Sequence, residues 1–160
     1  MYKTVIEKGV LATLMIYWFA FMPAAGYGDG APMSGHLLYI ISHANVWHLV
    51  GNIFVLTILR GDIHIVSALV IAVLMSFLPT FSPIWQTEGL TMGFSGVLFA
   101  IAGIKYGVFC RHTARKGYIY RQFATKALPI ALVGILFPNI NWCIHTYCIL
   151  AGFVYGRLRK

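Results

Sequence analysis

One serine and four polar residues in apolar surroundings carry the chemistry that this sequence offers. Ser95 sits within the stretch Gly89–Ala100, where a glycine-rich, irregular run passes into an apolar helix. Gly93 and Gly96 leave room around it, so the backbone of another chain can approach its hydroxyl. The first amides of the following helix point back toward that spot and can hold a developing negative charge. A serine becomes a nucleophile at neutral pH only with a base beside it. His145 is the candidate base, and His43, His48 and Asn52 are further polar groups in a second apolar segment.

The elements that must position these groups are themselves apolar. Of the 160 residues 59% are hydrophobic and only 10% charged, with a mean hydropathy of +0.79. Soluble domains average about 25% charged residues, so the composition reads as an integral membrane protein, one domain spanning 1–160. Apolar segments occupy 9–27, 38–59, 63–79, 93–109, 123–138 and 140–156, approaching the roughly 17–25 residues of a spanning helix. The fifth is the shortest and is interrupted by Pro129. The first competes with a cleaved signal, since Lys3 and Lys8 precede it and Ala24-Ala25-Gly26 follows. Its uncharged run from Gly9 to Gly28 is long for a signal core, which favours a retained helix.

Six spans make an all-α polytopic membrane protein whose twelve Lys and Arg all fall on one side, with both termini cytoplasmic. The loops on the other side, Gly28–Leu37, Thr80–Met92 and Pro138–Asn141, contain none. Topology thus accounts for the formal charge of +8 without a nucleic-acid partner. Cys110, Cys143 and Cys148 give no disulfide framework, and no regularly spaced Cys or His pair implies a metal or cofactor.

Depth brings the polar residues together. From Arg157 back to His145, and from Arg60 back to His48, a helix rises about 18 Å. From Lys105 or Arg111 back to Ser95 it rises roughly 15–24 Å. All three then share one level in a hydrocarbon core of about 30 Å, with Asn52 one turn below His48 on the same face. The irregular run before Ser95 must line a watered cavity enclosed by protein, because its backbone groups cannot face lipid unpaired. A serine, a histidine and further donors around such water make a hydrolytic constellation. Each residue also has a plainer reading: Ser95 as a helix-opening cap, the histidines and Asn52 as interhelical polar contacts.

On these residues the chain resembles the rhomboid family of intramembrane serine proteases. Gly93-Phe94-Ser95-Gly96 is similar to the family's Gly-x-Ser-Gly, and His43, His48 and Asn52 to its His-x4-His-x3-Asn. His145, Gly152 and Gly156 resemble its sixth helix. The sequence departs from the family at Cys148, where a glycine is common, and at Gly35-His36, where a Trp-Arg pair is typical. The first outer loop is also short, as in a minimal six-helix, rhomboid-like helical bundle.

The resemblance implies a dyad of Ser95 as nucleophile and His145 as general base, with Phe99 packed on the imidazole. It implies His48 and Asn52 as oxyanion donors beside the Ser95 amide, His43 in support, and Gly152 and Gly156 letting the sixth span approach the fourth. The implied activity is a cofactor-free serine endopeptidase in a lipid bilayer, cutting the transmembrane segments of other proteins. Bare loops point to a prokaryotic plasma membrane. Two alternatives stand beside it: a proteolytically silent relative that binds or escorts membrane partners, and a haem protein using His48 and His145 as axial ligands.

Overall fold

In the computed structural model, residues 2–28, 31–59, 61–62, 64–78, 90–137 and 140–159 are described. Among them all regular structure is helical, apart from one isolated bridge between Tyr27 and Thr91. Asp29, Arg60, the 80–89 stretch with Glu88 and Gly89, Pro138, Lys160 and the side chain of Lys3 lie outside the described residues.

Helix α1 runs Tyr2–Phe21, and Pro23 follows its end. A short α2, Gly35–Leu38, belongs to the loop that leads to α3, Val46–Ile58. Asn45 caps α3, its Oδ1 accepting from the His48 amide at 2.9 Å. At the other end Lys8 of α1 donates to the Thr57 carbonyl at 3.2 Å and to that of Leu59, supplying a cation to the α3 C-terminus. Helix α4, Ile65–Ser76, starts after an Asx turn in which Asp62 accepts from the His64 amide at 2.9 Å. Helix α5, Ser95–His112, and helix α8, Trp142–Leu158, form the centre.

Between them the chain is broken: α6 (Lys116–Gln122), a π-turn (Phe123–Ala127), α7 (Leu128–Leu132) and a 3-10 turn (Val133–Leu136). Pro129 lacks an amide hydrogen and its ring crowds the carbonyl four residues earlier, and the wider π-turn absorbs that mismatch.

The expectation of six transmembrane helices is corrected. By length and composition one described helix, Thr4–Phe21, is long and apolar enough to cross a membrane. The hydropathy of the other segments runs on through residues that are not helical. The apolar run from Leu38 spends its first residues in turns, so α3 keeps 13 residues, about 20 Å of rise. Helix α4 keeps 12 residues, about 18 Å. Both fall short of a hydrocarbon core of about 30 Å. Helix α5 has length but carries Lys105, Arg111 and His112, and the fifth segment is cut into four pieces.

Helices α5 and α8 run parallel and make the most extensive contact in the molecule. A methyl on Gly152 or Gly156 would strike the Ala100 or Ile104 carbonyl, and one on Gly103 or Gly107 the Ile149 or Phe153 carbonyl. The two backbones therefore touch between Ala100–Gly107 on one helix and Ile149–Arg157 on the other. Helix α4 packs across both with Ala68 and Ala72 fully buried, and Ser67 Oγ meets Tyr155 OH at 2.9 Å. His36 is sandwiched between Tyr27 and Phe77, and its Nδ1 meets Ser76 Oγ at 2.9 Å. That clasp ties the loop between α1 and α3 to the end of α4.

Candidate active site

The first turns of α3, α5 and α8 end at one place. Asn45 and Asn141 cap two of them, each with its side-chain oxygen on the amide three residues later. Between the three N-termini opens a cleft of about 760 Å³, lined among others by His48, Asn52, Ser95, Asn141 and His145. Among the described residues no Asp, Glu, Lys or Arg lines it. Its field comes instead from helix ends, each equivalent to roughly half a positive charge, which favours negative charge forming inside.

Ser95 is the first residue of α5, and His145 lies in the first turn of α8. Because these parallel helices start at the same level, the two side chains meet: Ser95 Oγ lies 2.8 Å from His145 Nε2. With the imidazole proton on Nδ1, Nε2 accepts from the hydroxyl, the arrangement that general-base activation of a serine requires. Phe99, one turn along α5, stacks on the imidazole with centroids 4.5 Å apart. Both dyad residues are half-buried, so the serine faces the cleft while the base is backed by protein.

The run before Ser95 is extended and hydrogen-bonded on one edge. Thr91 and Tyr27 exchange backbone bonds of 2.8 and 3.1 Å, and the Gly93 amide donates to the Tyr39 carbonyl at 2.7 Å. Gly93 then turns at φ +126°, a conformation that a side chain strains. It also carries the His48 ring on its α-carbon, where a methyl would collide with the imidazole. So Gly93 brings His48 against the serine's own loop. Gly96 is crowded for a different reason: the Tyr39 hydroxyl and Cys148 Sγ lie 3.2 and 3.5 Å from where its side chain would begin. Cys148 thus fills the floor beneath the serine.

Asn52 is buried, and its amide nitrogen has no hydrogen-bond partner among the described residues. An orphaned buried donor at a cleft wall is costly unless a ligand or water completes it. His43 stands behind His48, ring centroids 5.2 Å apart and edge to face, with Nδ1 3.2 Å from the Ile41 carbonyl. It does not line the cleft. Gly152 and Gly156 lie further down the α5–α8 contact, one of them against Ala100.

Sequence reasoning passed over Tyr39, Asn45, Thr91 and Asn141, all of which line the cleft. Asn45 and Asn141 were legible as residues immediately preceding apolar helices, the N-cap position. Thr91 offers no comparable signal until its partner is seen: Asn141 Nδ2 donates to Thr91 Oγ1 at 2.8 Å. No family model, curated protein or solved structure matches this chain.

Proposed function

We propose that this protein is a serine endopeptidase of the rhomboid type, working in a membrane on the apolar segments of other proteins through Ser95 and His145. The observation that carries the reading is the 2.8 Å approach of Ser95 Oγ to His145 Nε2 at the wall of a cleft large enough for a peptide segment. The motif resemblance at Ser95, His48, Asn52 and His145 supports it. So does the outer surface, on which Val10, Leu14 and Tyr17 of α1, Trp47 and Phe54 of α3 and Val66 and Val70 of α4 are exposed. Apolar exposure on this scale marks a lipid-facing or partner-facing surface.

The chemistry follows from the positions. Ser95 Oγ attacks the scissile carbonyl carbon while His145 Nε2 takes its proton. The carbonyl oxygen becomes an oxyanion, met by the Ser95 amide, the Asn52 amide nitrogen and His48, in the positive field of three helix ends. The imidazolium returns the proton to the leaving amine, the C–N bond breaks, and an acyl-enzyme remains on Ser95. Water, deprotonated by His145, then attacks the ester and releases the new carboxyl terminus. A helical substrate must unwind locally first, since its own hydrogen bonds enclose the scissile bond. The uncharged lining favours a neutral segment, because an unpaired charge there would be desolvated.

The test is covalent labelling of the detergent-solubilised full chain by a fluorophosphonate, with cleavage of a transmembrane substrate measured in parallel. The reading expects one labelled residue, Ser95, and loss of both signals in Ser95→Ala. Cleavage by Ser95→Ala, or inhibition by a chelator, would overturn it. A silent escort protein would bind the substrate without cutting it.

A further inference from the structure

We infer that Thr91 and Asn141 form a positioning clasp that sets the axial register of α5 against α8, and through it the reach of His145 to Ser95. This rests on the serine-hydrolase reading of the site. The pair lies four residues ahead of the dyad on both segments. Thr91 is four residues before Ser95, Asn141 is four before His145, and both pairs are 50 residues apart in sequence. Asn141 Nδ2 donates to Thr91 Oγ1 at 2.8 Å, the same length as the dyad contact.

Asn141 is anchored to the first turn of α8, and Thr91 to loop residues that hold the run leading into Ser95. Asn141 spends its side-chain oxygen on the Ile144 amide at 3.4 Å, so its amide group is fixed to the first turn of α8. Thr91 is held by two backbone bonds to Tyr27, and Gly93, two residues on, by one to Tyr39. Asn141 is buried, so the bond between the halves is shielded from water on that side.

The glycine seam holds the register further down the helices: a Cβ at Gly103, Gly107, Gly152 or Gly156 would collide with the facing backbone. Those close contacts begin about two turns below the dyad, so they hold the open ends of the helices less directly. A slide there by one residue's rise would move His145 by about 1.5 Å relative to Ser95. A misplacement near 1 Å at reacting atoms can reduce rate about 100-fold. A polar bond across the open ends of the helices, beside the dyad, resists that slide where it matters.

The experiment compares the rate at which a fluorophosphonate labels Ser95 in the full chain, in detergent, with thermal unfolding of the same preparations. Thr91→Val removes the hydroxyl at nearly constant shape. Asn141→Ser keeps a capping oxygen for α8 but is too short to reach Thr91. Each should slow labelling by about 10- to 100-fold, with the substrate KM little changed and kcat lowered. Thr91→Ser, which keeps the hydroxyl, should recover most of the rate. The double variant Thr91→Val/Asn141→Ser should be no slower than the slower single, because one bond is lost in each case. Wild-type labelling rates in both single variants overturn the clasp and leave the hydrolase reading standing. A multiplicative loss in the double variant, or failure of Thr91→Ser to recover the rate, also overturns it. Absence of labelling in the wild-type chain overturns both.

Discussion

The imidazole of His145 lies on the ring of Phe99, centroids 4.5 Å apart and planes 30° apart, so the residue one turn after the serine fixes the plane of the base the serine meets. Both of these contacts to His145 come from a single helix, α5. Among the described acids, Glu7 and Asp62 lie in α1 and in the loop before α4, and neither lines the cleft.

Phe99→Leu keeps an apolar side chain at that position and removes only the stacked ring. Aromatic stacking contributes about 0.5–1.5 kcal/mol, so kcat/KM should fall by at most roughly 2- to 13-fold on the usual conversion. The melting temperature should fall by only about a few degrees. A large drop in melting temperature with unchanged turnover of the folded fraction would show that Phe99 serves packing alone.

Gly93→Ala tests the join between the serine loop and α3. Its φ of +126° strains any side chain, and the added methyl meets the His48 ring. The backbone strain alone is of order 1–3 kcal/mol, and displacement of His48 should lower kcat further. In a His48→Ala background the collision disappears, so Gly93→Ala should lose stability there only by the strain. Equal destabilisation in both backgrounds would mean that the ring yields freely.

Much of this site is legible in the sequence because a membrane-like composition makes polar residues conspicuous. Ser95, His145, His48 and Asn52 stand out against apolar neighbours, and helical spacing alone aligns their levels. Element lengths are not legible in the same way. Leu38–Ile41 is as hydrophobic as any helix, yet the chain turns there and α3 begins only after Asn45 can cap it. The Thr91–Asn141 contact was hidden for the opposite reason: in sequence Asn141 reads only as a helix cap and Thr91 as an ordinary loop residue, and only the parallel α5–α8 packing makes them partners.

The α5–α8 seam predicts the strongest effect on stability. Gly152→Leu places a branched side chain against the Ala100 carbonyl, with no flexible neighbour to give way. Overpacking of a well-filled interior typically costs about 1–3 kcal/mol and sometimes more. The variant should unfold at lower temperature and also lose labelling at Ser95, since the helices that carry the dyad are forced apart. Gly117→Ala is the control, because nothing lies within 4 Å of that position. It should be neutral or slightly stabilising, as alanine favours a helix interior over glycine.

The oxyanion assignment predicts a kinetic signature rather than a binding one. Asn52→Ala removes a buried amide nitrogen that no described residue satisfies, so folding loses little by its absence. A donor of this kind is typically worth about 3–4 kcal/mol in the transition state. Turnover should therefore fall by about 100- to 1,000-fold with KM nearly constant. His48→Ala should act in the same direction. If Asn52→Ala keeps wild-type kcat, that amide is interhelical polar contact and nothing more.

The proposed dyad makes the sharpest prediction, because a nucleophile and its base act as one unit. Ser95→Ala removes the proposed nucleophile, and His145→Ala removes the Nε2 that meets its hydroxyl at 2.8 Å. Once either is gone, no activated hydroxyl remains for the other to lose. The two single variants and the double variant should then be about equally inactive, in contrast to the multiplicative losses of independent sites. All three should still fold, since each substitution leaves no unpaired charge behind and both residues are only half-buried. The measurement is single-turnover cleavage of a transmembrane substrate by the three variants at matched folded concentration. A double variant much slower than either single would mean that Ser95 and His145 contribute independently. In that case the 2.8 Å contact is a structural hydrogen bond, and the base lies elsewhere in the cleft.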